Sequence, residues 1–289
     1  VRNSAIFLII SIVFLLIVIN FDICGKIKNS SRRAEILASK NILIYHRSKQ
    51  IFSEKKMYSE KFSKFVEMWQ KEFAIEKSID EKVCADKNGN PIPWYTYPAI
   101  EYLLQFDYSE KSVFEFGCGY SSAFWASRAK KVISIEDKTD WFERWQKEFS
   151  EAKKLFIRWR DEGEGYNNAI FEDGEKYDVI VIDGKRRAEC AECAVKALND
   201  GGIIILDDSD RVNTSKEYVD AINILRGANL LQIDFYGFCP MNNYTKTTSV
   251  FFSRNFAFES QYMVQPVNGW GNLWSMSRKD RKEFYKKQK

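Results

Sequence analysis

Ser112-Val-Phe-Glu-Phe-Gly-Cys-Gly-Tyr-Ser-Ser122 is the stretch on which the fold of this chain turns. An apolar strand runs into a turn broken by Gly117 and Gly119, and the residues from Ser121 to Lys130 can start a helix. Glycines at such a turn let a ligand approach the backbone, and the free N–H groups of a following helix would face it. Glu136 ends the next apolar strand, Lys131-Val-Ile-Ser-Ile-Glu136, 21 residues after Glu115. A carboxylate there can accept hydrogen bonds from ribose hydroxyls. Together these features read as a nucleoside-binding corner. Two further strands each end in acid: Tyr177-Asp-Val-Ile-Val-Ile-Asp-Gly184 and Gly201-Gly-Ile-Ile-Ile-Leu-Asp-Asp208.

Strands and helices alternate outward from that corner. Val113–Phe116 precedes the helix from Ser121, and Val132–Ile135 precedes one led by Asp140-x-x-Glu143, an aspartate-led capping box, running to Ala152. Leu155–Trp159 and Val179–Ile182 are the third and fourth strands. A helix around Ala188–Leu198 stops at Asn199-Asp-Gly-Gly202, and strand Ile203–Leu206 follows. Thr214-x-x-Glu217 caps another helix ending near Gly227, and Leu230–Phe235 and Thr248–Phe252 complete the set. Such alternation implies an α/β fold, a mostly parallel sheet with helices on both faces, whose ligands sit beyond the carboxyl ends of the strands.

Here the chain resembles the class I S-adenosylmethionine-dependent methyltransferases. Glu115-x-Gly-x-Gly119 matches their first motif, Glu136 their ribose-binding acid, Ile182-Asp-Gly184 the fourth-strand motif and Gly201-Gly-Ile-Ile-Ile-Leu-Asp207 the fifth strand. Within that class, Pro93-Trp-Tyr-Thr-Tyr-Pro-Ala-Ile100 and Asp207-Asp-Ser-Asp-Arg211 look like a group of small bacterial members of unassigned substrate. The match covers roughly residues 93 to 253. It implies a Rossmann-like seven-stranded sheet and S-adenosylmethionine as cofactor, held by Glu115, Gly117, Gly119, Ser121, Glu136, Asp161 for the adenine side and Asp183 for the methionine side. Positions matching Asp183, Asp207 and Asp208 hold the metal in the cation-dependent O-methyltransferases, so the resemblance also raises Mg²⁺, with Asp183 and Asp208 as catalytic acids. The same acids read equally as solvated strand ends or, in Asp-Asp-Ser-Asp210, as a helix-capping loop.

Sequence composition narrows the alternatives. The 289 residues are 45% hydrophobic and 15% aromatic, enough for a real core. A net charge of +4, from 44 basic and 40 acidic side chains, is too balanced to argue nucleic-acid binding. Six scattered cysteines suggest reduced thiols, and Cys190-x-x-Cys193 falls within a helix rather than in a redox or zinc context. His46, the one histidine, lies far from every motif, which argues against a histidine base. Trp94, Tyr95, Tyr97 and Tyr236, with the Asn242-Asn-Tyr-Thr245 loop, are candidates for the wall around a small-molecule acceptor, or for an aromatic loop under the first helix. Lys185, Arg186 and Arg187 could hold an anionic acceptor or repel a second cation.

Residues 1–25 carry an uncharged apolar run from Ala5 to Ile19, followed by Lys26, Lys28, Arg32 and Arg33. No small-residue cleavage site follows, and the basic flank sits on the carboxyl side. The expectation is therefore a single-pass membrane anchor with a cytoplasmic catalytic domain, against the alternative of a buried helix. Residues 26–92 read as a linker and helical extension. In it Tyr58, Phe62, Phe65, Trp69 and Phe73 form an aromatic stripe at helical spacing, expected to pack on the main domain. Residues 93–255 are the expected catalytic domain and 256–289 an aromatic and basic tail. The function expected is methylation of a small hydroxylated acceptor, possible metal assistance included. The alternatives are a membrane-tethered nucleoside-binding protein without catalysis and an NAD(P)-dependent oxidoreductase, whose third motif glycine is here Ser122.

Overall fold

The computed structural model describes residues 59–287. The chain divides after Phe65 into two units, and of the first only 59–65, part of a helical stretch over 59–72, is described. The second unit, from Val66 onward, is built on a seven-stranded sheet. Its strands are β1 (Ser112–Phe116), β2 (Lys131–Glu136), β3 (Leu155–Trp159), β4 (Tyr177–Ile182), β5 (Leu198–Leu206), β6 (Leu231–Phe238) and β7 (Thr245–Phe252). They lie in the order β3-β2-β1-β4-β5-β7-β6. The first five are parallel, and β7 inserts antiparallel between β5 and β6.

Strand residues alternate between two cores, as the period of two requires. Val179 and Val181 of β4 face one side with Val113, Val132, Ile203 and Ile205. Ile180 and Ile182 face the other with Phe114, Ile133, Ile204 and Leu206. Burial on both faces is why these strands read as unbroken apolar runs. Helices Tyr97–Leu103 and Tyr120–Ala126 cover the first side, and Arg187–Ala197 and Lys216–Gly227 the second.

Several local expectations shift. The helix after the glycine turn spans only Tyr120–Ala126, and that after β2 spans Thr139–Glu148, without the expected Asp140 cap. Asn199-Asp-Gly-Gly202 is no break: β5 passes through it with a register shift, Gly201 taking φ +76°. Glu217 does not close a box with Thr214; its carboxylate accepts the backbone N–H of Arg187. In the aromatic stripe Phe73 is buried and stacks on Trp69, whereas Phe62 and Phe65 are exposed; Tyr58 lies outside the described residues. Beyond β7 the chain stays with the same unit: Phe256 and Phe258 pack against the first core, Trp270 against Phe73 and Tyr97, and Trp274 donates to Glu72.

The membrane-anchored, cytoplasm-facing placement is corrected. Among the described residues no helix is long and apolar enough to cross a membrane, and the run from Ala5 to Ile19 lies outside them.

Candidate functional site

The direction of chain connection reverses between β1 and β4, and the helices that follow them lie on opposite faces of the sheet, which leaves a crevice beyond the strands' carboxyl ends. It opens into a cavity of about 400 Å³, within the range of small-molecule sites. One wall is the glycine turn. Gly117 has φ +102°, and a Cβ on it would meet the Asp183 carbonyl at 2.9 Å, so only glycine lets β1 and β4 end side by side. Gly119 is extended, and a Cβ there would meet nothing within 4 Å; its missing side chain opens the cavity rather than shaping the turn.

Glu136 lines this wall, almost fully buried. Its Oε2 accepts the Cys118 N–H at 3.2 Å and its Oε1 the Lys138 N–H at 3.1 Å. Burial raises its pKa while those two backbone donors oppose the rise. A carboxylate oxygen has two lone pairs, so each keeps one for a ligand hydroxyl. Trp141, which the sequence reading passed over, closes the same corner by donating Nε1–H to the Cys118 carbonyl at 2.8 Å.

Glu115, expected against the cofactor, stands behind the turn, outside the cavity lining. Its Oε2 accepts the Ser134 hydroxyl at 2.6 Å, Ser134 lies 3.1 Å from the Ser122 hydroxyl, and Ser122 in turn accepts the Gly119 N–H at 3.2 Å. Oε1 is buried with no hydrogen-bond partner among the described residues. Burial pushes this carboxyl up to about 7, against the nearby hydroxyls of Ser122, Ser134 and Ser121. Ser121 lines the cavity, while Asp161 sits exposed beyond β3 and does not.

The expected acceptor wall is mostly elsewhere. Trp94 lines the cavity, as do Asn242 and Tyr244. Tyr95 is wholly buried, and Tyr97 belongs to the aromatic cluster with Phe73 and Trp270, its hydroxyl donating to the Phe73 carbonyl at 3.3 Å. Tyr236 is 71% exposed on edge strand β6. Tyr95 and Tyr97, at and before the start of helix Tyr97–Leu103, pack into the core, and Tyr236 sits on the outermost strand of the sheet.

Opposite the glycine turn, carboxylate oxygens of Asp183, Asp207 and Asp208 lie within 4.8 Å of one another. Asp208 takes φ +56°, a left-handed conformation aspartate tolerates, which turns it back toward the crevice. Two cations that the sequence did not flag in this role meet the cluster. Lys246, from the start of β7, donates to Asp207 and, at 3.1 Å, to Asp208. Arg187 donates to the carbonyls of Ile182 at 2.8 Å and Asp207 at 2.7 Å and to Asp183 Oδ1 at 3.1 Å, tying together the ends of β4 and β5. Asp207 Oδ1 accepts the Thr248 hydroxyl at 2.6 Å, and Asp208 Oδ2 pairs with Arg211 at 2.7 Å.

Five of the six carboxylate oxygens are thus engaged by protein donors. A divalent ion of the Mg²⁺ type needs an octahedron of oxygens at about 2.0–2.1 Å. This donor set does not fit one, since binding would displace the buried Lys246 ammonium. Burial by itself would lower the Lys246 pKa, but the Asp207 and Asp208 charges outweigh it and hold the amine above its ordinary value. Burial, with the Asp207 charge beside it, pushes Asp183 up to about 7. Its side chain keeps 28% exposure, toward the cavity.

Cys190 and Cys193 lie buried in helix Arg187–Ala197, Cys190 donating to the Lys185 carbonyl at 3.3 Å. The five described cysteines are all free thiols.

No protein-family model and no curated protein matches the chain. Among solved structures it is similar to the precorrin-6y C5,15-methyltransferase of Geobacter metallireducens, at 12% identity and TM-score 0.46, over 61% of this chain and 96% of that one. It is also similar to the N-methyltransferase NodS of Bradyrhizobium japonicum, at 17% identity and TM-score 0.38, over 50% and 85%. A third is the O-methyltransferase of Bacillus cereus in complex with SAH, at 16% identity and TM-score 0.41, over 54% and 78%. The fold of this chain is a Rossmann-like, seven-stranded mixed sheet.

Proposed function

We propose that the chain is an S-adenosylmethionine-dependent methyltransferase acting on a hydroxyl oxygen of a small acceptor. The observation that carries this reading is the pairing, across one cavity, of a half-satisfied Glu136 at the open glycine turn with a charged cluster around Asp183. When bound, S-adenosylmethionine supplies an activated methyl group and its own leaving group. What the protein must add is position, exclusion of water and a destination for the acceptor's proton.

Glu136 offers its remaining lone pairs to the ribose hydroxyls, and the bare Gly119 leaves room for the nucleoside against the backbone. Trp141 forms a flat wall beside them. Asp183 is the residue assigned to receive the acceptor's proton. Arg187 orients it, one of its oxygens is not engaged by a protein donor among the described residues, and a group titrating near about 7 suits proton transfer at neutral pH. Asp208, with both oxygens paired to cations, suits that role less well than its cluster position suggests.

The test uses purified full-length protein, labelled methyl donor and a small-molecule cell extract, following both S-adenosylhomocysteine and labelled products. Asp183→Asn should abolish turnover and leave donor binding intact. Donor binding without turnover in the unaltered protein, across extracts, would instead support a nucleoside-binding protein without catalysis.

A further inference from the structure

The acidic cluster raises a question of charge. Three buried or half-buried carboxylates need counter-charge, and the chain supplies it from two directions. Arg187 comes from the start of the helix that follows β4 and is bonded to main-chain carbonyls as well as to Asp183. Lys246 comes from β7. Leu206, the last residue of β5, pairs with Ser249 of antiparallel β7, so Lys246 lies three residues beyond it at the carboxyl end of β5. That register brings its ammonium over Asp207 and Asp208 and into the cavity lining, with 8% of the side chain exposed.

An ammonium has three donors, and two are given to Asp207 and Asp208. The Nζ lies 5.8 Å from the centre of the Trp94 ring, which is itself a partly exposed wall of the cavity. On one side, then, Lys246 is bound as a metal would be, by carboxylates. On the other it meets the space where an acceptor must sit if the donor lies against the glycine turn.

Building on the methyltransferase reading, we propose that Lys246 is the resident cation of the acceptor site. Anchored by Asp207 and Asp208, its ammonium takes the place that a divalent ion would need and donates its third N–H to the acceptor's hydroxyl oxygen beneath Trp94. A fixed positive donor at that oxygen stabilises negative charge as its proton departs, the service a Lewis-acid ion performs elsewhere. The chain thus carries this cation covalently.

Substitution by Lys246→Met removes the charge at nearly constant length, and should leave the three aspartates open to a divalent ion. The first readout is Mn²⁺ binding, followed by electron paramagnetic resonance on the full-length protein with circular dichroism as the check on folding. Wild type should show no Mn²⁺ binding at the cluster up to the highest concentration tested, while Lys246→Met should bind it with a Kd at least about ten-fold below that concentration. Should that variant fail to fold, Lys246→Gln, which keeps a neutral donor, takes its place. The second readout is donor turnover with cell extract in excess EDTA, which wild type should sustain. The variant should lose it and regain it on addition of Mg²⁺, a rescue that a purely structural lysine would not allow.

Mn²⁺ bound by wild type and lost in Asp208→Asn would overturn the proposal even if neither lysine variant folds. So would a folded lysine variant that binds no Mn²⁺, or one whose turnover is unaltered. Calorimetry with S-adenosylmethionine on the same samples reads the donor site apart from Lys246. Absence of donor binding in wild type would therefore remove the methyltransferase reading, while the Mn²⁺ arm would still decide what occupies the cation position.

Discussion

Glu136 accepts the backbone N–H of Cys118 at 3.2 Å, so the acid that ends β2 is held in place by the glycine turn that ends β1. The two halves of the proposed donor site are therefore one mechanical unit. Glu136→Ala should weaken S-adenosylmethionine binding by about 1.5–3 kcal/mol, the worth of hydrogen bonds to a charged group. Titration calorimetry of the folded variant checks it, and unchanged affinity would remove Glu136 from the site.

The two other glycines near the crevice should behave in opposite ways. A Cβ at Gly184 would meet the Tyr166 hydroxyl at 1.9 Å, in a region where neither can yield easily. Gly184→Ala should cost about 2–4 kcal/mol in urea unfolding. At Gly119 the added methyl would meet open space. Gly119→Ala should keep stability within about 0.5 kcal/mol and yet weaken donor binding, because the methyl intrudes on the ligand and not on the fold. Equal loss of stability in both would contradict this division.

The proposed proton transfer to Asp183 would give turnover a pH dependence. Burial and the neighbouring Asp207 charge push its carboxyl up to about 7, and a proton acceptor works only when ionised. Donor consumption should rise as the pH climbs through about 7 and fall away below it. A rate profile flat across that point would assign the proton to another group.

Glu115 offers a pH effect on stability with the same origin. Burial raises its carboxyl to about 7, so the fold holds this proton more tightly than the unfolded chain, where glutamate titrates near about 4.3. Its stabilising contribution is complete below the unfolded value and is lost as the pH rises through about 7. Glu115→Gln keeps an acceptor for Ser134 and removes the buried charge. It should raise stability by on the order of 2 kcal/mol near pH 8 and change little near pH 4. Thermal unfolding at the two pH values checks it, and a variant less stable under alkaline conditions would contradict it.

Much of this architecture could be read locally. Leu155–Trp159 matches β3 residue for residue, and the glycine turn, Glu136 and the acids after β4 and β5 fall at strand ends as their spacing requires. What failed was long-range. Lys246 sits in Asn242-Asn-Tyr-Thr-Lys-Thr-Thr248, which has the composition of a solvated loop, and only the antiparallel pairing of β7 with β5 carries it to Asp207. The useful signal was indirect: a pair of aspartates at the end of a buried strand demands a cation, and a lysine flanked by β-branched threonines is a candidate strand residue. Arg187 was misread for a related reason. Its place in a run of three basic residues suggested a group that holds an anionic acceptor or repels a second cation, whereas the helix start turns it inward among the strand ends. The aromatic residues of Pro93–Pro98 were ambiguous because the same composition serves a cavity wall and a core; Trp94 went one way, Tyr95 and Tyr97 the other.

Titration calorimetry of the full-length protein with S-adenosylmethionine, S-adenosylhomocysteine and NAD⁺ tests the central claim most directly. The account predicts one site per chain for both sulfur nucleosides, weakened in Glu136→Ala, and no heat with NAD⁺. Binding of NAD⁺ in place of S-adenosylmethionine, or no binding of either sulfur nucleoside by folded protein, would contradict it.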